Sequence, residues 1–450
     1  MPKLTLLPLL GLMVASKLTF AQDEKPASPP PMPRRPSIIL IVADGLGYGD
    51  LGCYGQQNIK TPNLDQLAKE GVRFTSFYAA SPKSAAARVA LLTGRDTGHL
   101  KLADDSATTF PDGVPTIAEL LQQVGYHTGC VGEWQLGETV NAPFKRGFIE
   151  WVGLLTAAEA RTDFPQYISR YRAANEKTGA EEFSGLVELP KNASGFHGES
   201  VNAMFAAAAG NFVNYNKPDQ FNQRRPYFLY LPLPLPSVTN ADSAANHSLE
   251  PWPAPERARA DAIVKLDECV GRLIAKLKET KQESNTLVFL TSDTGARADC
   301  GSDVKYHKRA GKFQCATNML GEGDLRIPLL VWGPDHVKSG EENFASAAAY
   351  DLVPTFLEIA RAKPAEGADG LSLLSPLRGK PQPVRHEFLL WQTHPDGTLA
   401  ARKGEWKFIR QKNGQPDELY NLNVDPQEKS NLAADQKEIV TQFEDYLRRR

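Results

Sequence analysis

A predicted strand, turn and helix between residues 72 and 95 constrain this chain more than any other stretch. Residues 72–78 have the apolar and aromatic character of a strand, and residues 85–92 follow as the start of a helix. Ser84 therefore lies at a strand-to-helix junction, where backbone N–H groups and the helix dipole favour an anionic oxygen. Arg88, one turn later, can add a planar fork of donors to the same anion. For an isolated serine, a helix N-cap is the simpler interpretation.

Two further apolar runs are each followed by an aspartate. Residues 36–43 read as a central parallel strand buried on both faces, and Asp44 comes directly after it. Asp293 follows a second apolar run at residues 286–291. Because ligands bind at the carboxyl edge of open α/β sheets, we expect Asp44 and Asp293 to lie side by side, within reach of Ser84 and Arg88.

The N-terminus has the features of an export signal. Lys3 precedes an apolar core at residues 4–16, and small residues around residues 19–21 resemble a cleavage site. We expect a signal peptide over residues 1–21 and a periplasmic or extracellular protein, because the apolar core is too short for a spanning helix. Residues 22–35 are rich in proline and charge, which predicts an extended leader.

Composition excludes some classes of protein. The net charge of −2 at pH 7 gives no support to nucleic-acid binding. The five cysteines include no Cys-x-x-Cys spacing, and no His-x-x-x-His spacing occurs, which argues against a zinc site. Strands alternate with helices along the chain, and apolar residues at helical spacing between residues 263 and 277 predict a long helix. The sequence therefore predicts an α/β domain.

The segment SAAAR at residues 84–88, followed by LTGR at residues 92–95, resembles the signature of the type I sulfatases. In that family a Cys or Ser at the first position is oxidised by a separate maturase to formylglycine, whose hydrate attacks the sulfur of a sulfate ester. The resemblance makes Ser84 the candidate precursor and Arg88 a candidate catalytic residue. It extends over residues 36–435 or so and implies calcium as the family's metal.

The same resemblance implies an alkaline-phosphatase-like fold. We expect a mostly parallel central sheet flanked by helices in residues 36–380. A small antiparallel C-terminal subdomain, ending in a helix, would occupy residues 381–450.

The resemblance also shows where the chain departs from the family. The family holds calcium with two consecutive aspartates and an Asp-Asn pair, of which Asp44 and Asp293 are retained here as the candidate metal ligands. A lysine and a histidine that contact sulfate, and a histidine that protonates the leaving group, are replaced. The substituted family positions are, in chain order, Gly45, Glu133, Gln135, Ser237 and Thr294.

Three hypotheses follow for function. The first, which we favour, is an exported sulfatase-family protein that takes sulfated glycans or aryl sulfates with weak or absent turnover. Calcium would be held weakly or not at all, and a carboxylate at Glu133 would repel the anion. The second is an active sulfatase with formylglycine at Ser84 and missing ligands supplied by His99, His127 or Lys312. The third is a phosphoesterase of the same superfamily, which needs a second Asp- and His-rich metal site.

Overall fold

The central sheet begins with β1, the apolar run Ser37–Ala43, every residue of which is buried. The computed structural model describes residues 34–100, 102, 110–156, 159, 162–174, 182–195, 197–218, 225–237, 250–297, 302–316, 318–392, 398–411 and 415–449. The expected signal peptide and most of the expected leader lie outside these ranges. Residues 35–450 belong to one compact unit.

Within the described residues the central sheet has eleven strands and a second sheet has four. After β1, the central sheet contains β2 (Val72–Tyr78), β3 (His127–Glu133), β4 (Glu150–Leu154), β5 (Tyr167–Arg172), β6 (Phe183–Glu188), β7 (Tyr227–Leu233), β8 (Thr286–Ser292), β9 (Arg326–Trp332), β10 (Glu341–Asn343) and β11 (Ala347–Ala348). The small sheet contains β12 (Leu389–Gln392), β13 (Leu399–Lys403), β14 (Trp406–Arg410) and β15 (Glu418–Asn421).

The strand order of the central sheet is β10-β2-β9-β8-β1-β7-β3-β4-β5-β6, with β11 also paired to β2. β1 runs parallel to β7 and β8, and β3 runs parallel to β7 and β4. β9 is antiparallel to β2 and β8, and β5 is antiparallel to β4 and β6. The small sheet is antiparallel throughout. This architecture confirms the predicted fold class.

The helices flank the central sheet or follow the small one. They are α1 (Pro62–Glu70), α2 (Ser84–Thr93), α3 (Thr97–Leu100), α4 (Ile117–Gln123), α5 (Val201–Tyr215), α6 (Ala254–Glu279), α7 (Glu322–Leu325), α8 (Leu352–Ile359), α9 (Leu374–Leu377) and α10 (Lys437–Arg448). The long helix predicted between residues 263 and 277 is part of α6, and its apolar residues are buried. Among the helices just named, none combines the length with the apolar character that a bilayer-spanning segment requires.

Local sequence explains where α2 ends. Gly94 takes the left-handed conformation that closes the helix, with φ of 72° and an N–H that donates to the Ala90 carbonyl oxygen at 2.9 Å. A Cβ at this position would lie 2.8 Å from Cβ of Val353 on α8. The glycine of the LTGR run therefore meets both a backbone and a packing requirement, independent of chemistry.

A buried ion-pair network joins the small sheet to the central sheet. Lys407 on β14 is fully buried, with Nζ 3.2 Å from Oε1 of Glu322 and 2.8 Å from Oε1 of Glu428. Nη2 of Arg326 lies 2.6 Å from Oε2 of the same Glu322. This oxygen also accepts a hydrogen bond from the Tyr78 hydroxyl at 2.8 Å. Although burial alone would raise the pKa of Glu322, Lys407 and Arg326 hold it well below its ordinary range. Glu322 therefore stays charged.

The small sheet also contacts the segment that leads to Ser84. Nε1 of Trp391 on β12 donates to the Ala79 carbonyl oxygen at 2.7 Å. Arg402 on β13 donates to Oγ of Ser76 on β2 at 2.9 Å. Strand β2 and the turn after it are thus held by residues more than three hundred positions further along the chain.

Candidate active site

Two carboxylates lie at the carboxyl ends of the neighbouring strands β1 and β8. Asp44 follows β1 and Asp293 follows β8, and the Asp293 N–H donates to the Ala43 carbonyl oxygen at 3.0 Å. The Gly45 N–H donates to Oδ1 of Asp293, also at 3.0 Å, so the two turns are bonded directly to each other. Asp293 is 1% exposed, whereas Asp44 is partly exposed. The structure therefore brings both retained aspartates to one edge of the sheet.

The turn at Gly45 is fixed by a buried arginine. Gly45 has a φ of 67°, in the left-handed region that glycine adopts without strain. Nη2 of Arg259 on α6 donates to the Gly45 carbonyl oxygen at 2.8 Å and lies 3.0 Å from Oδ2 of Asp50. This arrangement fixes the backbone of Gly45 in one conformation.

Arg88 connects helix α2 to this edge. Its side chain is completely buried, and Nε donates to Oδ2 of Asp293 at 3.0 Å while Nη1 donates to the Glu133 carbonyl oxygen at 3.0 Å. Nη2 has no hydrogen-bond partner among the described residues. Burial opposes the charge, but Asp293 and Glu133 outweigh it and raise the pKa of Arg88. The guanidinium stays charged and has one buried donor that is unpartnered among the described residues.

Ser84 is the first residue of α2 and is half-buried. Lys83 occupies the N-cap position, so the N-cap interpretation of Ser84 is wrong. The Ser84 Oγ instead accepts a hydrogen bond from Nη1 of Arg297 at 3.2 Å. The serine is thus linked to a residue that follows Asp293 in the chain.

Glu133 and Gln135 lie at the end of β3. Glu133 is 1% exposed; Nε2 of Gln135 donates to its Oε1, and its Oε2 has no partner among the described residues. Burial, together with the nearby carboxylates of Asp44 and Asp293, raises the pKa of Glu133 to about 8 against the opposing effect of Arg88. The folded protein therefore favours the protonated carboxyl. This weakens the expected repulsion of an anion, and the protonated form can donate a hydrogen bond.

Glu133→Gln is expected to stabilise the protein, and the effect should grow as the pH rises from 4.5 to about 8. These limits are the ordinary pKa of a glutamate and the pKa of Glu133 in the folded protein. In this window the unfolded chain releases a proton that the folded chain keeps, so wild-type stability falls with rising pH. The variant lacks this loss, and its advantage should reach at least ~2 kcal/mol above pH 8 and vanish near pH 4. Urea unfolding across this range measures it.

Glu138→Gln, at an exposed position beyond the same strand, is the matched control and should leave the pH dependence unchanged. Parallel stability curves for wild type and Glu133→Gln would contradict the prediction.

Asp44, Ser237 and Thr294 complete the candidate residues at this edge. Burial and the neighbouring Asp293 raise the pKa of Asp44 to about 6. The Thr294 hydroxyl donates to Oδ1 of Asp293 at 3.3 Å. Ser237 is partly buried and lies two residues beyond Leu235, whose carbonyl oxygen accepts from the Asp44 N–H at 2.9 Å. The structure therefore places Asp44, Thr294 and the backbone just before Ser237 at the same edge of the sheet as Asp293.

Sequence reasoning missed Arg297. Besides donating to Ser84, its Cδ lies 3.8 Å from the position of a Cβ built on Gly45, and its charge acts on Asp44. The available signal was positional: Arg297 follows Asp293 by four residues at the carboxyl edge of the sheet. No periodicity or motif marks it.

The residues suggested as substitute ligands are engaged elsewhere. His127 begins β3 whereas Glu133 ends it, so about 20 Å of strand separates them. Nε2 of His127 lies 2.5 Å from Oε1 of Glu150, and Nδ1 of His99 lies 2.6 Å from Oδ1 of Asp369. Lys312 is exposed, with Nζ 5.6 Å from the centre of the Phe313 ring. The partners in these contacts are Glu150, Asp369 and Phe313, which are not among the site residues described above.

The residues at this edge do not fit calcium. Oδ1 of Asp293 accepts from Gly45 and Thr294, and Oδ2 pairs with Arg88, so both oxygens are in use. Calcium takes six to eight oxygen ligands, and Gly45 brings no carboxylate. In the part of the chain that the structure describes, the one close set of three acidic or imidazole ligands is Asp96, His99 and Asp369, outside this site.

Comparison with known proteins decides the family. The family model of the sulfatases matches residues 36–362, and the model of the N-sulphoglucosamine sulphohydrolase C-terminal region matches residues 315–450. The chain belongs to the sulfatase family. Pig (Sus scrofa) N-acetylgalactosamine-6-sulfatase is 33% identical to this sulfatase-family chain over 361 residues, which cover 76% of the chain and 66% of the relative. Human (Homo sapiens) arylsulfatase A is 31% identical over 447 residues, with 89% and 83% covered.

Solved structures extend the similarity. The crystal structure of Ps i-CgsB in complex with k-i-k-neocarrahexaose matches this sulfatase-family chain with a TM-score of 0.77 and 27% identity, covering 92% of each chain. The PsFucS1 sulfatase from Pseudoalteromonas sp. has the same fold, with a TM-score of 0.73 at 23% identity over 92% of this chain and 89% of its own. The chain spans just under two-thirds of the pig relative's length.

Proposed function

We propose that this chain is an exported sulfatase-family protein that binds sulfate esters, above all sulfated carbohydrates, with little or no turnover. The observation that carries the proposal is the pairing of Asp293 with Arg88. Among the described residues, it engages one of the two retained carboxylates in an ion pair and keeps buried positive charge at the site.

Several donors of the site suit a sulfate group. The Arg88 guanidinium keeps an unpartnered Nη2, and Arg297 is a partly exposed cation beside Ser84. Ser84 opens helix α2, whose first N–H groups favour an anion. A protonated Glu133 adds a donor without adding negative charge. These groups support binding of a singly charged sulfate ester.

The same residues do not support fast chemistry. Ser237 stands where the family has its leaving-group acid, and a serine hydroxyl cannot donate a proton near pH 7 as imidazole can. Each lost transition-state donor typically costs about two to three powers of ten in rate. The losses are not additive, but together they remove most of the acceleration.

The sulfated-carbohydrate part of the proposal draws on relatives. One relative is named for N-acetylgalactosamine 6-sulfate chemistry, and one structural neighbour was solved with a carrahexaose bound. An aryl sulfate is the second ligand class, since arylsulfatase A is also similar. The sulfate group is common to both.

Export rests on residues 1–21, so the mature chain is expected to begin near Gln22. N-terminal sequencing of the protein recovered outside the cytoplasm measures this. Recovery there with Met1 intact would contradict it.

Hydrolysis of 4-nitrocatechol sulfate is expected to stay within about ten-fold of the uncatalysed rate, with or without calcium, because the proton donor and the metal ligands are missing. Binding of a sulfated carrageenan hexasaccharide, measured by calorimetry, is expected to be lost when the sugar is chemically desulfated. Release of nitrocatechol and heats of binding are the two readouts.

Ordinary enzymatic turnover of about 1–10³ per second, with formylglycine found by mass spectrometry in the Ser84 peptide, would replace this proposal with the active-sulfatase hypothesis. The phosphoesterase hypothesis has no support from the site, because the described residues offer no second metal cluster beside Ser84.

A further inference from the structure

Arg297 spans the site from the Asp293 turn to the start of α2. It follows Asp293 by four residues, its Cδ lies 3.8 Å from where a Cβ would project from Gly45, and its Nη1 donates to the Ser84 Oγ at 3.2 Å. Asp293 and Thr294 are buried, whereas Arg297 is partly exposed. The side chain therefore lies against the Gly45 turn and ends at the serine, where a ligand can reach it.

The charge of Arg297 acts on the carboxylate that remains. Burial and Asp293 raise the pKa of Asp44, and Arg88, Arg297 and Arg259 oppose that rise. Arg88 and Arg259 are buried and bonded to Asp293 and Asp50 respectively. Arg297 is thus the cation of this group that combines partial exposure with a bond to Ser84.

An aspartate at position 45 would occupy the space beside Arg297. A Cβ there already comes within van der Waals distance of the Arg297 side chain and of the Thr294 Oγ1, both at 3.8 Å, and the carboxylate would extend further from the same backbone position. The family's second metal-binding carboxylate and the Arg297 guanidinium therefore compete for one region. A glycine at position 45 leaves that region to the arginine.

We propose that Arg297 takes the place of the family's calcium ion, as a built-in cation that binds the sulfate group at Ser84 without a metal. The sulfate part rests on the proposed function, whereas the metal part does not. A guanidinium offers planar paired donors that match two sulfate oxygens. It carries one positive charge instead of two and is not a Lewis acid, so it holds the anion without strongly polarising it.

Calcium titration of the metal-stripped protein tests the metal part. Calorimetry should detect no calcium binding by the wild-type chain at about 1 mM calcium, the weak end of protein sites. The triple variant Gly45→Asp, Thr294→Asn, Arg297→Ala should bind calcium at least about ten-fold more tightly than the double variant Gly45→Asp, Thr294→Asn. The reason is that the triple variant lacks the guanidinium that repels the ion. Equal calcium affinity with and without Arg297, or tight binding by the wild type, would overturn the proposal.

Sulfate titration tests the other part. In the presence of EGTA, wild-type affinity for 4-nitrocatechol sulfate should be unchanged, and Arg297→Gln should weaken it at least about ten-fold, in line with loss of a charge-assisted donor pair. Arg297→Lys should retain part of the affinity. Arg272→Gln, at an exposed position on α6, is the matched control and should change nothing.

The two titrations separate the possible failures. Loss of sulfate binding on removal of calcium, or wild-type affinity in Arg297→Gln, would overturn the role of Arg297 while leaving the proposed function intact. Absence of any sulfate binding would defeat the proposed function, and the calcium titration would still decide the metal part. Arg297→Gln changes one partly exposed side chain, so the sulfate titration stands even if a multiple variant fails to fold.

Discussion

A chain with the family's residues restored is expected to hydrolyse 4-nitrocatechol sulfate at least about a thousand-fold faster than the wild type when both are produced with a maturase and calcium. The changes are Ser84→Cys, Gly45→Asp, Glu133→Lys, Gln135→His, Ser237→His, Thr294→Asn and Arg297→Ala. They return the proton donor, the anion-binding side chains and the metal ligands. A thousand-fold gain is a modest expectation, because restoring one donor alone is worth about two to three powers of ten.

Nitrocatechol release at matched protein concentration measures the gain. The same multiple variant with Ser84→Ala in place of Ser84→Cys is the control, and it should stay at the wild-type rate because it lacks the nucleophile. A restored chain that gains nothing while its Ser84→Cys peptide carries formylglycine would show that the substituted positions do not limit turnover.

Lys407→Met is expected to lower the free energy of unfolding by about 3–5 kcal/mol, the usual cost of removing one partner of a buried ion pair. The lysine is fully buried between Glu322 and Glu428, so its loss leaves their carboxylates without their shared cation. Urea unfolding at neutral pH measures the change.

Lys403→Met, on the neighbouring strand β13, is the control for loss of a partly exposed lysine and should cost at most about 1 kcal/mol. Adding Glu428→Gln to Lys407→Met should recover part of the stability, because the carboxylate paired with Lys407 is then removed as well, whereas Glu322 keeps Arg326 as its partner. Equal stabilities of the two lysine variants would contradict the assignment of the network.

The fold could be predicted because its signals are local and repeated. Ser37–Ala43 is apolar without alternation, which indicates burial on both faces, and the apolar stripe of α6 follows the helical period. The positions of Asp44 and Asp293 after such strands also predict where their backbones lie. Because the carboxyl ends of parallel strands meet at one edge of a sheet, the sequence alone predicts that these two residues lie at the same edge.

The rest of the site depends on groups that are distant in sequence. The protonation of Glu133 follows from its burial and from Asp44 and Asp293, none of which a local pattern reveals. Arg297 lies in an irregular segment, where neither periodicity nor spacing indicates the direction of a side chain. The His127 suggestion could have been rejected from the sequence, because a residue that begins a parallel strand lies at the edge opposite to its carboxyl end.

The hydrogen bonds from Trp391 to Ala79 and from Arg402 to Ser76 also affect the order in which parts of the chain fold. A ribosome makes the chain from its N-terminus, so Ser84 emerges long before the strands that contact the segment leading to it. The turn before α2 completes its contacts only when the last strands arrive. Until then the segment that leads to Ser84 lacks these two contacts, and the formation of the small sheet supplies them.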